Sequence, residues 1–218
     1  MAQAKRLSVA AALAVTAAMG FSSARAADVA LAPSSVVNQS GSTVEAGGAR
    51  WLGTGANAAV SRLGMVFKVP DLPRTALRSA TLLLTAAWTQ WIPIDVLIAA
   101  ELSANPADFG PKALPSDRSL TALVARYAEN SRWGGNGVYE IDVTEPVRAL
   151  FAKFAHPSAI ALVAAGQGTP WGRKYFAGAP SLKLTFDDPP APPPRPAVSG
   201  EAPAPSLAAP ALSSAAAM

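Results

Sequence analysis

Short stretches that alternate apolar and polar residues dominate the chain between residues 60 and 187, and they predict strands. From Arg62 to Val69, Leu63, Met65, Phe67 and Val69 fall on one face and Arg62 and Lys68 on the other, the pattern of a half-buried strand. Pro70, Asp71 and Pro73 supply turn chemistry after it. Ser79 to Ala87 is apolar on both faces at its middle, which predicts a central strand. Ile94 to Leu102 and Leu120 to Tyr127 predict two more, with Pro106, Pro111 and Pro115 in the connection between them. In Val138 to Val143, Tyr139, Ile141 and Val143 point inward while Glu140 and Asp142 point out. Ala159 to Ala164 and Leu182 to Phe186 complete the set, and Gly134-Gly135-Asn136-Gly137 reads as a hairpin turn.

The period changes only once. Val147, Leu150, Phe151 and Phe154 fall at i, i+3, i+4 and i+7, one stripe of a short helix. Thr144 suits its N-cap, Glu145 the positive end of the helix dipole, and Pro146 the first turn, where a missing N–H costs nothing. Many short strands, turn-rich connections and one helix predict an all-β fold: a jelly-roll-like antiparallel β-sandwich, with long crossings near residues 103–120 and 128–137.

Two terminal stretches have other compositions. Lys5 and Arg6, the apolar run Leu7 to Met19, and Ala24-Arg25-Ala26 make the three parts of a secretory signal peptide over residues 1–26. A run of thirteen residues, broken by Ser8 and Thr16, falls short of the roughly 20 that span a bilayer, so no transmembrane segment is expected in the mature chain. From Pro189 to Met218 there are nine Pro and ten Ala among thirty residues, which predicts a disordered, extended tail, because proline lacks an N–H and fixes φ. The domain is therefore expected over residues 27–188.

Removing Lys5, Arg6 and Arg25 lowers the formal net charge from +4 to +1. With no block of Lys or Arg, a nucleic-acid partner is not expected. The chain has no Cys, so an exported domain must rely on its core without disulfides. One His, His156 beside Pro157, and no Cys leave neither a zinc site nor a base for a nucleophile. No glycine-rich phosphate loop follows a strand, and no cofactor or metal is expected. Glu140 and Asp142 share one strand face and could serve as paired carboxylates, but a solvated outer face is the simpler account of them. No catalytic residue is assigned.

Five tryptophans are many for this size. Trp88 and Trp91 bracket Thr89-Gln90, Trp133 lies among Asn130, Arg132 and Gly134, and Trp171 opens Trp171-Gly172-Arg173-Lys174-Tyr175. Flat aromatic faces beside polar groups suit sugar rings. Trp88, Trp91, Trp133 and Trp171 are the candidate ligand contacts, with Arg132, Arg173, Lys174 and Tyr175 at their edge. The competing expectation is that each tryptophan plugs one end of the core and that the charges only keep a strand edge soluble.

The order of segments resembles the DNRLRE-type domains of secreted bacterial proteins. The residues that carry it are Gly64-Met65-Val66-Phe67-Lys68-Val69-Pro70, Leu77-Arg78-Ser79-Ala80-Thr81-Leu82, Asn105-Pro106-Ala107-Asp108-Phe109, Ile141-Asp142-Val143-Thr144-Glu145-Pro146-Val147, Ala161-Leu162-Val163 and Gly178-Ala179-Pro180-Ser181-Leu182-Lys183-Leu184. The resemblance covers most of residues 60–187. It implies a jelly-roll-like accessory module, related to some that bind polysaccharide, alginate-type included. The acidic-basic signature that names the family is not legible here; Gly172-Arg173-Lys174-Tyr175-Phe176 stands in its place. The expectation is a secreted, non-catalytic, carbohydrate-binding module, whether periplasmic or extracellular. The alternatives are a structural or protein-interaction protein of the envelope or matrix, and a polysaccharide lyase or hydrolase working through Tyr and a carboxylate.

Overall fold

Eleven strands form in the described part of the chain, most of them with aliphatic residues at alternate positions. The computed structural model describes residues 27–45, 50–55, 58–70, 76–128 and 132–187. The strands are β1 (Ala27–Leu31), β2 (Pro33–Ser40), β3 (Thr43–Val44), β4 (Arg50–Gly53), β5 (Ser61–Lys68), β6 (Leu77–Ala86), β7 (Ile94–Ala100), β8 (Ala125–Tyr127), β9 (Val138–Asp142), β10 (Ala159–Gly168) and β11 (Arg173–Phe186). One helix, α1 (Thr144–Lys153), lies between β9 and β10. The expected signal peptide and the Pro/Ala-rich tail lie outside the described residues. Among those described, no helix is long and apolar enough to cross a membrane.

All strand pairs are antiparallel. The first sheet runs β1-β11-β6-β9, with β4 also on β11, and the second runs β3-β2-β5-β10-β7-β8. From β5 to β7 and from β8 to β11 successive strands change sheet, so the chain winds around one core as a sandwich. That core includes Leu63, Met65 and Phe67 of β5, Leu82 and Leu84 of β6, Val96 and Ile98 of β7, and Leu182 and Leu184 of β11, all buried. Alternation along these strands explains it, since every second side chain turns toward the facing sheet.

The second sheet has apolar cover on its other face too. Phe109 packs on Val66, Ala159, Ala161 and Val163 from the long β7–β8 connection. A Cβ on Gly64 would stand 2.7 Å from the Phe109 ring, so glycine is what lets the ring close down on β5. Arg118 lies 4.8 Å over the same ring and pairs with the buried Glu101 carboxylate at 3.0 Å, pinning the connection to β7.

Several expectations need correction. No strand is expected before Arg62 from the sequence pattern, yet β1 to β4 all precede it; they are mixed in polarity, and pairing to β11 defines β1 and β4, pairing to β5 defines β2, and β3 pairs with β2. The strand expected over Leu120 to Tyr127 is reduced to Ala125–Tyr127. Thr121 accepts from the Ala100 N–H and donates to the Leu123 carbonyl, which curls residues 121–124 at the sheet end and leaves Leu123 and Val124 exposed. Thr144 is not the N-cap. Its hydroxyl accepts from the Ala80 N–H at 2.9 Å and ties the helix to β6, while Asp142 Oδ1 accepts from the Thr144 N–H. Gly134–Gly137 is a turn, with the Gly137 N–H donating to the Gly134 carbonyl, but it joins no hairpin of successive strands. The residue before it, Trp133, pairs with Gln90 and so lengthens the β6–β9 pairing.

In α1, Val147 and Leu150 are fully buried, whereas Phe151 and the C-capping Phe154 are half-buried. Phe151 meets Phe186 edge-on at 6.5 Å. Phe151→Ala is therefore expected to cost about 2 kcal/mol in chemical denaturation, less than the roughly 3–5 of a fully buried ring. A cost under about 0.5 kcal/mol would show that the ring contributes only surface cover.

Candidate functional site: an aromatic surface at one end of the sandwich

The loops that carry the tryptophans converge. The segment 87–93 follows β6, residues 169–172 join β10 to β11, and residues 132–137 lead into β9; the strand directions put all three at the same end. Contacts tie them together. Gln90 and Trp133 exchange backbone hydrogen bonds at 2.9 Å. The Trp171 N–H donates to the Thr54 carbonyl, and the Gly172 N–H donates to the Thr169 carbonyl. Gly53 closes the junction: its φ is 134°, and a Cβ there would fall 1.9 Å from the Gly172 oxygen.

Alternation along β11 sorts the Arg173-Lys174-Tyr175 triplet. Arg173 and Tyr175 face outward, and Lys174 and Phe176 face the core. Across the strand pair Tyr175 sits opposite Trp51 of β4. The outward side chains form a continuous stack. Trp88 lies on Tyr175 with ring centroids 4.7 Å apart and planes 28° from parallel. The Arg173 guanidinium is 4.2 Å over Trp51 and 4.8 Å over Trp171, a cation held between two indoles. It donates to the Tyr175 hydroxyl at 3.2 Å and, among the described residues, pairs with no carboxylate; its Nε is buried without a partner. Trp51 is buried and anchored, its Nε1 donating to Glu45 at 2.6 Å.

Three tryptophans present their rings to water: Trp88 is 53 %, Trp91 63 % and Trp171 61 % exposed, and Ile92 beside them is exposed as well. Arg132 lies 4.5 Å over Trp91, a second stacked cation. So many large apolar side chains together at one end depart from the scattered exposure normal on a soluble surface. Trp171 also has φ of 68°, a left-handed conformation rare for a bulky residue and costing of order 1–3 kcal/mol.

Two of the candidates do not belong to this surface. Trp133 is 0 % exposed and plugs the end of the core, stacked on Tyr139 at 4.4 Å and 9°, and edge-on to Phe176 at 5.2 Å. Lys174 is also 0 % exposed, with Nζ donating to the Gln90 carbonyl at 3.2 Å and standing 5.8 Å over the Trp133 ring. Burial pushes its pKa down to about 8, since an ammonium loses hydration inside the sandwich. Two residues not anticipated shape the surface instead, one buried beneath it and one exposed on it. Gln90 is a hub: its amide donates to the Trp88 carbonyl, and its Oε1 accepts from the Tyr175 N–H at 2.7 Å, fixing the Trp88 loop to β11. Ile92 extends the apolar surface. The position of Gln90 between two tryptophans was its only signal in the sequence.

His156 is exposed, and no group of three or more His, Asp or Glu suited to a metal occurs among the described residues. Tyr139 Oη accepts from the Gly134 N–H, and Tyr175 Oη meets Arg173. Fold and surface together define an antiparallel β-sandwich with an aromatic, cationic face at one end. No family model and no curated protein matches the chain.

Proposed function

We propose that the chain is an exported, non-catalytic module that binds polysaccharide through this face, with acidic glycans its preferred class. The observation that carries the reading is the stack of Trp171, Arg173, Tyr175 and Trp88. Rings exposed together at one end of the sandwich match the apolar C–H faces of sugars. Among the described residues the Arg173 guanidinium pairs with no carboxylate, which leaves its positive charge to attract a uronate. The order of segments that resembles DNRLRE-type domains, and the secretory leader expected over residues 1–26, point the same way.

The test uses immobilised acidic and neutral polysaccharides with wild-type protein and three variants. Trp88→Ala is expected to lose about tenfold in affinity, near 1.4 kcal/mol, with little change in melting temperature, because its ring is exposed. Trp171→Gly should lose at least as much while melting no lower than wild type, because glycine adopts φ of 68° without strain. Arg173→Ala should weaken acidic glycans selectively and flatten the salt dependence. Full retention by both tryptophan variants would sink the proposal.

A further inference from the structure

The end of the second sheet beside the aromatic face holds an open cleft of about 440 Å³, within the range of small-ligand sites. Its floor is built by strand register. Asp95 of β7 lies directly opposite Gln167 of β10, so both side chains stand side by side on the outward face. Arg126 of β8 lies opposite Leu97 and reaches diagonally to Asp95, with Nε at 2.9 and 3.1 Å and Nη2 at 2.8 Å from the carboxylate oxygens. The fork holds the carboxylate in one plane and cancels its charge. Gln167 is exposed. A neutralised carboxylate beside an exposed primary amide offers an acceptor and a donor side by side for a sugar hydroxyl.

The cleft reaches the same end of the sandwich as the stack. Pro93 on its rim follows the exposed Ile92, and Thr169 on the same rim begins the turn that carries Trp171. A flexible chain lying on Trp171 would pass over Thr169 onto Gln167. We infer that this cleft is a hydroxyl-binding subsite for a further sugar unit, so that the site grips a run of several sugars along a chain. The inference rests on the polysaccharide reading and adds to it a second contact region of different chemistry: hydrogen bonds in place of ring stacking.

The experiment is calorimetric titration of the full chain with di- and hexasaccharides of α-1,4-galacturonate and of β-1,4-glucose. The hexasaccharide is expected to bind at least tenfold tighter than the disaccharide of the same sugar. Gln167→Ala and Asp95→Asn should erase most of that excess and leave disaccharide affinity within twofold, which also shows that the aromatic face is intact. Equal affinity for both lengths, or an excess that survives in both variants, overturns the subsite. Binding that disappears in Trp88→Ala but ignores Gln167→Ala overturns the subsite alone. No binding by any of the four sugars overturns both the subsite and the polysaccharide reading.

Discussion

Replacing Trp133 by alanine is expected to destabilise the protein by about 3–5 kcal/mol, the largest loss among the aromatic positions. Its indole is fully buried between Tyr139 and Phe176 and closes one end of the core. No neighbouring loop could collapse into the space, because Gln90 and Tyr139 are themselves held by hydrogen bonds. The indole N–H lacks a partner, so part of what the ring contributes is already offset by a desolvated donor. Trp133→Phe, which deletes that donor and keeps most of the ring, should therefore lose less than half as much. Urea denaturation with a common slope measures both. A Trp133→Ala loss below about 1 kcal/mol would return this residue to the ligand surface. The contrast with Trp88→Ala and Trp171→Gly is the informative comparison: one tryptophan should move stability, the other two binding.

Lys174→Met should stabilise the protein, by about 1–3 kcal/mol at pH 7. Folding lowers the lysine pKa from 10.5 to about 8, and every tenfold loss of proton affinity corresponds to about 1.4 kcal/mol. The sign follows from proton counting. Between pH 8 and 10.5 the unfolded chain holds a proton that the folded chain has released, so this group makes stability rise with pH across that window. Below pH 8 both states are charged and the full penalty applies. Methionine fills a similar volume without a charge. The hydrogen bond it forfeits leaves no orphan, because the Gln90 carbonyl still accepts from the Trp133 N–H at 2.9 Å. Wild type and variant should differ most near pH 7 and converge toward pH 10.5. Denaturation curves separated by a constant amount from pH 7 to pH 10.5 would refute the buried, depressed amine.

The alternation of Leu63, Met65 and Phe67, and of Leu182, Leu184 and Phe186, was enough to predict strands with one face in a core, and hence an antiparallel sandwich. A strand that packs a facing sheet has to repeat every two residues. The helix was legible for the same reason, in the one place where the repeat lengthened. Residues 27–53 carry no such pattern. Their side chains are mixed, and the partners that complete the hydrogen bonds of β1, β2 and β4 lie further along the chain, in β5 and β11.

The candidate site divides along the same line. That tryptophans beside Gly and Arg mark a special end of the molecule could be read from composition. Which of them meet water could not. Trp133 and Trp171 have similar neighbours in sequence, yet one is sealed under Phe176 and the other is turned outward at φ of 68°. Arg173, Lys174 and Tyr175 read as one basic-aromatic cluster until β11 is known to extend to Arg173. Alternation then sends the middle residue into the core, where its charge is a liability, and leaves its neighbours to stack between Trp51, Trp171 and Trp88. Local pattern reports the period of a strand. Which side of that strand faces a second sheet is decided only when distant segments pack.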